Sequence, residues 1–378
     1  MSGATALHVA VAGGSIGGLC AGVALRGVGC TVDVFERTPH QMTSRGAGIV
    51  VQNDLLALLQ QHKASALPMT SCTHRLYLEH TGGEGKLTAM PQHFTSWEAI
   101  YKTLRSAFPD KHYHLGKTVT DFANEGGRVS MQFADGQACS ADLLVCADGI
   151  HSKARRRLLP DIHPQYAGYV AFRGTLAEGL ADGDLVNFFD DRFTFCNARS
   201  GGHILCYLIP GDGASTEPGQ RRLNWVWYVH IAEGAELSAL LTDAQGQQHE
   251  SSLGPGELPE SRVVDIHRLA EQELHPHFAR LVQATPEPFV QSIIDVIVPQ
   301  MVFGRVCLLG DAAFVVRPHT AAAAAKAADD ASALALALSS SPTNLEYALG
   351  IWEQRQRETG QNLTNYGVRL GSRWAKIN

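Results

Sequence analysis

Three short stretches of this chain set glycines and acids where a strand gives way to a turn and a helix. The first, Gly13 to Gly18 (GGSIGG), follows the alternating run Leu7, Val9, Val11 and leads into helix-period apolar residues from Ile16 to Val28. Thr31 to Phe35 reads as a second buried strand ending at Glu36. Such a unit binds a dinucleotide. Its glycines allow a tight turn and close approach of a pyrophosphate, whose charge rests on the amides at the helix start. An acid roughly 20 residues further on accepts hydrogen bonds from the adenosine ribose, and Glu36 is placed to do so. Ser15 stands where the usual G-x-G-x-x-G pattern has its middle glycine. Serine is small enough to hinder approach only slightly, and its hydroxyl is itself a phosphate donor.

The second stretch, Asp148-Gly149-Ile150-His151-Ser152-Lys153-Ala154-Arg155, is a D-G-x-x-S-x-x-R arrangement after the apolar strand Leu143 to Ala147. Alone it also reads as an N-capped helix with a basic face. The third, Gly310 to Asp330 (GDAAFVVRPHTAAAAAKAADD), again follows a strand, Arg305 to Leu309. Asp311, at the carboxyl end of that strand, is well placed to hold a ribityl hydroxyl. After Pro318 nearly every residue is alanine, so little side chain separates the helix-start amides from a flat ring. A helix N-terminus aimed at the pyrimidine end of a flavin stabilises the negative charge gained on reduction. The alanines equally supply plain helix propensity.

The elements that must carry these motifs are legible in outline. Asn53 to Gln61 has a helical pattern, residues 72 to 90 read as a hairpin turning at Gly82, Gly83 and Gly85, and Thr95-Ser96-Trp97-Glu98 reads as a capping box before a helix stopped by Pro109. Before them, Arg45 to Asn53 reads either as a loop with a short strand or as a loop that lays its backbone along an extended cofactor. From Tyr166 to about Val298 short aromatic strands dominate: Tyr169 to Leu176, Leu185 to Phe189, Phe193 to Cys196, His203 to Ile209 and Leu223 to Ile231. They predict an antiparallel sheet that walls a small-molecule site. Val264 to Gln283 reads as helical, and Thr320 to Arg373 as helical throughout.

With 378 residues, 45% hydrophobic and 18% charged, and a net charge of -6, the chain has room for two or three domains and no basic excess for nucleic acid or anionic membranes. Its eight cysteines are scattered without a C-x-x-C, which favours reduced thiols and the cytoplasm. The N-terminus enters a strand without a signal-peptide pattern, and Lys326, Asp329 and Asp330 interrupt the alanine-rich run, which excludes it as a spanning helix. Seventeen histidines invite a metal reading, but no H-E-x-x-H occurs and no metal site is expected. Candidate polar groups for chemistry lie on the aromatic sheet. His203 and Tyr207 share a face of one regular strand, as do Tyr228 and His230 of the next. His319, just before the alanine helix, is a further candidate, and Arg173 pairs either with a substrate oxygen or with Asp311.

A glycine turn near the N-terminus, a D-G motif near 150 and a G-D motif near 310, in that order, resemble the single-component FAD-dependent aromatic hydroxylases over essentially the whole chain. The resemblance implies an α/β fold: a Rossmann-like FAD-binding domain (residues 1–165 and 299–378, the latter including helical C-terminal segments) with an inserted antiparallel β-sheet substrate domain (residues 166–298). It implies FAD contacts at Gly13, Gly14, Ser15, Ile16, Gly18, Glu36, Arg37, Arg45, Asp148, Arg155, Asp311, Pro318, Ala321 and Ala322, with Asp148 and Arg155 also serving the approach of the nicotinamide cofactor. It further implies NADH as electron donor, O2 as co-substrate, a small aromatic substrate and a homodimer. Within the group, Phe314 occupies a place often held by histidine, Thr320 to Lys326 (TAAAAAK) replaces a glycine-glutamine-glycine turn, and Trp97 replaces an arginine. With Gly168 to Gly174 (GYVAFRG) and Arg317-Pro318-His319, these variants are most similar to the branch that hydroxylates dihydroxypyridines. His203, Tyr207, Tyr228 and His319 are then the candidates for the catalytic groups. Other aromatic rings, such as 6-hydroxynicotinate or salicylate, a flavin-dependent reductase or epoxidase, a non-catalytic flavin protein and a plain NAD-dependent dehydrogenase are the competing readings. The last leaves the D-G and G-D motifs without a role.

Overall fold

The computed structural model describes residues 6–42 and 48–374. Near its N-terminus the strand His8–Ala12 pairs in parallel with Thr31–Glu36 on one side and Leu143–Cys146 on the other. Val306–Leu308 extends the sheet beyond Leu143–Cys146, and Tyr113–Leu115 extends it beyond Thr31–Glu36. A short antiparallel strand, Val302–Phe303, closes the order to six. The central strands are apolar throughout because helices cover both faces of a parallel sheet. Registry explains why three distant motifs meet. Ala12 is level with Cys146 and Cys146 with Leu308, so Gly13, Asp148 and Asp311 leave the sheet at the same carboxyl edge. In an open parallel sheet that edge is where ligands bind.

The second sheet runs in the order Ser252–Leu253, Phe289–Ile297, Gln165–Ala177, Arg222–His230, His203–Ile209, Arg192–Asn197, Thr70–Glu79, Lys86–Ser96, Gly48–Val50. Three of these strands come from the first hundred residues, so this sheet is not built from the inserted segment alone. It is also not wholly antiparallel: Arg192–Asn197 lies parallel to Thr70–Glu79. One face carries Val170, Phe172, Trp225 and Trp227 against the helices Glu260–Glu273 and Pro276–Ala284. The other face looks toward the first sheet. A small three-stranded sheet spans 119–141.

Several sequence expectations are corrected. Leu185 to Phe189 is not a strand but part of the helix Gly183–Phe189: the Asp182 carboxylate accepts from Leu185 N at 2.9 Å, and Leu185 and Phe189, four apart, are both buried. Ser96 rather than Thr95 caps Trp97–Ala107, accepting from Ala99 N, while the Thr95 hydroxyl donates to Pro68 O. The C-terminal region is two helices, Ala323–Ser340 and Leu345–Trp374. Among the described residues no helix is long and apolar enough to cross a membrane.

Candidate cofactor and substrate site

The glycine turn leaves no space for side chains. A Cβ on Gly18 would lie 1.8 Å from Gly13 O, and one on Gly13, whose φ is +106°, would lie 2.3 Å from Ala147 O. Gly14 is equally enclosed: Tyr113 donates its hydroxyl to Gly14 O at 2.7 Å, and Gly14 N donates to Glu36 Oε2 at 2.7 Å. Glu36 is buried and also accepts from Thr38 N at 2.8 Å, so each carboxylate oxygen keeps a lone pair for a ligand hydroxyl. Ser15 stands at the N-cap of Ile16–Gly27, yet its hydroxyl caps nothing, and the first turn holds no acid. Ile16 is buried beneath the turn and Arg37 is exposed beside Glu36. Arg45 lies outside the described residues.

At the D-G motif, Asp148 Oδ2 accepts from Lys153 N (2.8 Å) and Ala154 N (3.2 Å), while the buried Oδ1 has no hydrogen-bond partner among the described residues. Arg155 lies between this motif and the next. It is 1% exposed, and its guanidinium donates to three carbonyls: Asp311 O (3.2 Å), Ala312 O (3.1 Å) and Ile150 O (2.6 Å). It ties the D-G motif to the G-D motif. Beyond it, Gly310 N donates to Asp330 Oδ2 at 2.9 Å, and Asp330 also pairs with Lys326 at 2.6 Å in a fully buried ion pair. The Asp311 carboxylate makes no hydrogen bond among the described residues. Burial first, and the nearby Asp330 charge, push its pKa up, against the pull of Lys326 and Arg155. Ala321 adopts the left-handed conformation (φ +53°), which turns the chain from Pro318–Thr320 into the alanine helix, and Gln52 donates to Ala321 O at 2.6 Å.

Sequence reasoning left two residues open. Phe314 is buried against Gly360 of the last helix, with the Lys326 ammonium 5.3 Å from its ring centroid. Trp97 stacks on Tyr101 at 5.3 Å, nearly parallel, and Tyr101 in turn approaches Tyr113 beneath the glycine turn.

The facing side of the second sheet is a grid fixed by register. Tyr169, Ala171 and Arg173 run along one strand; Tyr228 lies opposite Ala171, Val226 opposite Arg173; on the next strand His203 lies opposite Tyr228, Leu205 opposite Val226 and Tyr207 opposite Asn224. Gln291 flanks Ala171 on the other side. An apolar floor of Ala171, Val226 and Leu205 thus separates two polar ends. At one end the loop Pro318–Thr320 lowers His319 onto the sheet. Its Nε2 is 2.9 Å from the Tyr169 hydroxyl, its ring 4.1 Å from that of Tyr228 and 5.4 Å from that of His203. Arg317 Nη1 donates to the Tyr169 hydroxyl at 3.3 Å, while its Nε and Nη2 bind Asp295. Burial pulls the His203 pKa down to about 3 and that of His319 to about 4, the second helped by the charge of Arg317. Both imidazoles are therefore neutral at pH 7. Burial raises the Tyr228 pKa as well. Of the four catalytic candidates, three meet here. Tyr207 does not: it belongs to the other end, stacked on Phe94 at 4.3 Å. His230, at the strand end, is exposed. Tyr169 and Arg317 were not foreseen as part of this group, although the alternation of Tyr169 with Ala171 and Arg173 carried the signal.

These residues fit a dinucleotide with a sugar-alcohol chain. Free helix-start amides and an unspent Ser15 hydroxyl suit phosphate oxygens, and the unpartnered oxygens of Asp148 and Asp311 suit hydroxyl donors. Comparison with known proteins decides which dinucleotide. Over 372 residues, covering 97% of this chain and 91% of the relative, the sequence is 37% identical to 2,6-dihydroxypyridine 3-monooxygenase of Paenarthrobacter nicotinovorans. The chain belongs to the single-component FAD-dependent hydroxylases. An FAD binding domain-like family model matches residues 166–295. The solved structure of 2,6-dihydroxypyridine-3-hydroxylase from Arthrobacter nicotinovorans superposes with a TM-score of 0.92 at 36% identity, covering 98% of this chain and 93% of that one. The 6-hydroxynicotinate 3-monooxygenase of Pseudomonas fluorescens is 25% identical over 98% of this chain and 92% of its own length. As a hydroxylase of this family the protein uses bound FAD, NADH and O2, and its α/β architecture is that of the family.

Proposed function

We propose that this hydroxylase acts on an electron-rich aromatic N-heterocycle, converting 2,6-dihydroxypyridine to 2,3,6-trihydroxypyridine. The observation that carries the reading is the grid itself: an apolar floor of Ala171, Val226 and Leu205 between two polar ends, suited to a flat heterocycle with oxygens on opposite sides. The 37% identical relative named for that reaction supports it.

FAD, when bound, activates oxygen with electrons from NADH. We assign its pyrophosphate to Gly13, Gly14, Ser15, Ile16 and Gly18, its adenosine ribose to Glu36 with Arg37 and Arg45 alongside, and its ribityl chain to Asp311 with Asp148 close by. Pro318, Ala321 and Ala322 form the bare edge against the ring system, and Arg155 positions the two acidic turns. The chain's own work on the substrate is orientation and proton transfer. With Nε2–H of His319 donating to Tyr169, the other imidazole nitrogen accepts the proton of a ring hydroxyl. An imidazole with so low a pKa passes a proton on rather than holding it, and the Tyr169 hydroxyl beside its Nε2 is held in place by Arg317, itself paired with Asp295. Tyr228 and His203 border the ring on that side, and Tyr207 borders the opposite end. A cytoplasmic homodimer belongs to the same proposal. It is supported by eight free cysteines and, for the dimer, by the family resemblance.

Purified holoprotein with NADH and air is expected to convert 2,6-dihydroxypyridine into a product heavier by one oxygen. Faster turnover of 6-hydroxynicotinate or salicylate moves the substrate elsewhere in the family, and NADH oxidation with no heavier product refutes the hydroxylase reading of the site.

A further inference from the structure

The last helix, Leu345–Trp374, runs close against the residues that hold His319. Gly371, buried near its end, lacks a side chain where one would collide: a Cβ there would lie 2.6 Å from Arg317 Nη1 and 2.6 Å from the Tyr169 hydroxyl oxygen. One turn earlier, a Cβ on Gly367 would lie 3.2 Å from both Arg317 Cβ and Thr320 Cγ2. Glycine is the poorest helix former after proline, so the helix is weakened at these positions. At Gly350 of the same helix no such contact exists, since a Cβ there would meet nothing within 4 Å. The close approach at Gly371 thus falls on the two side chains that reach toward His319.

Both atoms that Gly371 makes room for are fixed from their other sides. The Tyr169 hydroxyl lies 2.9 Å from His319 Nε2 and accepts from Arg317 Nη1 at 3.3 Å, while Arg317 Nε donates to Asp295 at 2.9 Å. Tyr169 is a rigid, buried ring and Arg317 is buried and paired, so neither tip moves without straining one of these bonds. The clash at Gly18 is with a main-chain carbonyl; here it is with side-chain ends, which yield without unfolding the helix. We propose that Gly371 is a positioning residue of the active site: its missing side chain leaves the space in which the Tyr169 hydroxyl meets Arg317 and His319, so the C-terminal helix sets the geometry of proton transfer. The inference rests on the assignment of His319 and Tyr169 to that transfer and deepens it. The atoms nearest a methyl group at 371 belong to Arg317 and Tyr169, none to the floor of Ala171, Val226 and Leu205. Ring binding is therefore spared, and the chemical step is not.

The test compares FAD-loaded variants in steady-state assays with 2,6-dihydroxypyridine, NADH and air. Gly371→Ala is expected to keep the wild-type FAD content and KM and to lose about tenfold in kcat, as a displaced proton-transfer partner would. Tyr169→Phe removes the oxygen that the methyl would meet, so adding Gly371→Ala to it is expected to cost less than about twofold more. Gly350→Ala, whose methyl meets nothing, keeps wild-type kcat and separates helix propensity from the contact. Wild-type kcat in Gly371→Ala, a loss by the same factor in both backgrounds, or an equal loss in Gly350→Ala overturns the proposal. Should Gly371→Ala fail to fold, recovery in the Tyr169→Phe background supports the contact, and failure in both overturns it. If wild type does not turn over this ring, or Tyr169→Phe alone is fully active, the reading of the site fails separately. A crystal structure of Gly371→Ala then decides: displacement of the Tyr169 hydroxyl or of the Arg317 guanidinium upholds the positioning role, and both left in place overturn it.

Discussion

The Tyr169 hydroxyl and His319 Nε2 lie 2.9 Å apart although 150 residues separate them, one on the substrate sheet and the other on the loop that starts the alanine helix. The bond fastens the G-D segment to the second sheet and sets the imidazole over Tyr228. Removing the imidazole with the His319→Gln variant is expected to lower kcat on the order of 100-fold, the usual range for a lost proton-transfer group. Tyr169→Phe keeps the ring and loses only the bond, so its effect is smaller, about tenfold. FAD content should be unchanged in both. Steady-state product formation alongside NADH oxidation checks it, and wild-type kcat in His319→Gln removes the residue from the mechanism.

His319, half-buried, and the buried His203 also act on acid stability. Folded pKa values of about 3 for His203 and about 4 for His319 lie below the ordinary 6.5, so the unfolded chain binds more protons than the folded one between these limits. Stability is therefore full above about pH 6.5 and falls as the pH drops toward 4, by up to about 1.4 kcal/mol per pH unit for each histidine. Denaturant titrations at a series of pH values should show this slope, and His203→Phe should flatten it. An unchanged slope would mean that other groups cause the acid loss.

Much of this arrangement was legible in the sequence. The glycine turn, Glu36, Asp148 and Asp311 announce themselves through local chemistry, because turn glycines and strand-end acids are constrained by their own neighbours. Strand alternation alone paired His203 with Tyr207 and Tyr228 with His230, whereas the meeting of His203 and Tyr228 follows from the register between their strands. Arg155 was not legible as a tie, since whether a guanidinium faces a ligand or three carbonyls depends on a turn 156 residues away. The position of Tyr207 was hidden for a related reason: alternation gives its face but not its distance along the sheet from His319, which is set by pairing register. The helix Gly183–Phe189 was misread because a short aromatic run satisfies both periods until its Asp182 cap is weighed.

Arg155 supplies a stability prediction. In Arg155→Met a buried side chain of comparable length remains, but three carbonyls lose their donor, so destabilisation of about 3 kcal/mol is expected. Because the guanidinium spans both acidic turns, FAD affinity should fall with it. Thermal melts of apo- and holoprotein measure the two effects separately. Unaltered flavin binding at reduced stability would confine the residue to a structural role.

The glycine turn should tolerate nothing larger. Gly18→Ala drives a methyl group into Gly13 O, a contact of 1.8 Å that only movement of the turn relieves. The variant is expected to purify without yellow colour, whereas Ser15→Ala, which removes one phosphate donor and no backbone geometry, should retain flavin with weaker affinity. Flavin-to-protein absorbance ratios after reconstitution check both, and a fully yellow Gly18→Ala protein would mean that the pyrophosphate lies elsewhere.

Asp311 separates cofactor binding from fold stability. Its carboxylate is held in a cleft close to Asp330, unsatisfied by any described hydrogen bond, and its raised pKa means that the ionised form is less favourable folded than unfolded. At neutral pH the charge therefore works against the apoprotein, and only a ligand with hydroxyl donors compensates it. Asp311→Asn removes that charge while keeping the shape, so the apoprotein should gain about 1 kcal/mol. FAD, deprived of its charged acceptor, should bind more weakly, and the rise in melting temperature on adding FAD should shrink. The two shifts have opposite signs, which a general packing defect cannot produce. An apoprotein that melts lower in Asp311→Asn would show that the carboxylate supports the fold instead of waiting for a ligand.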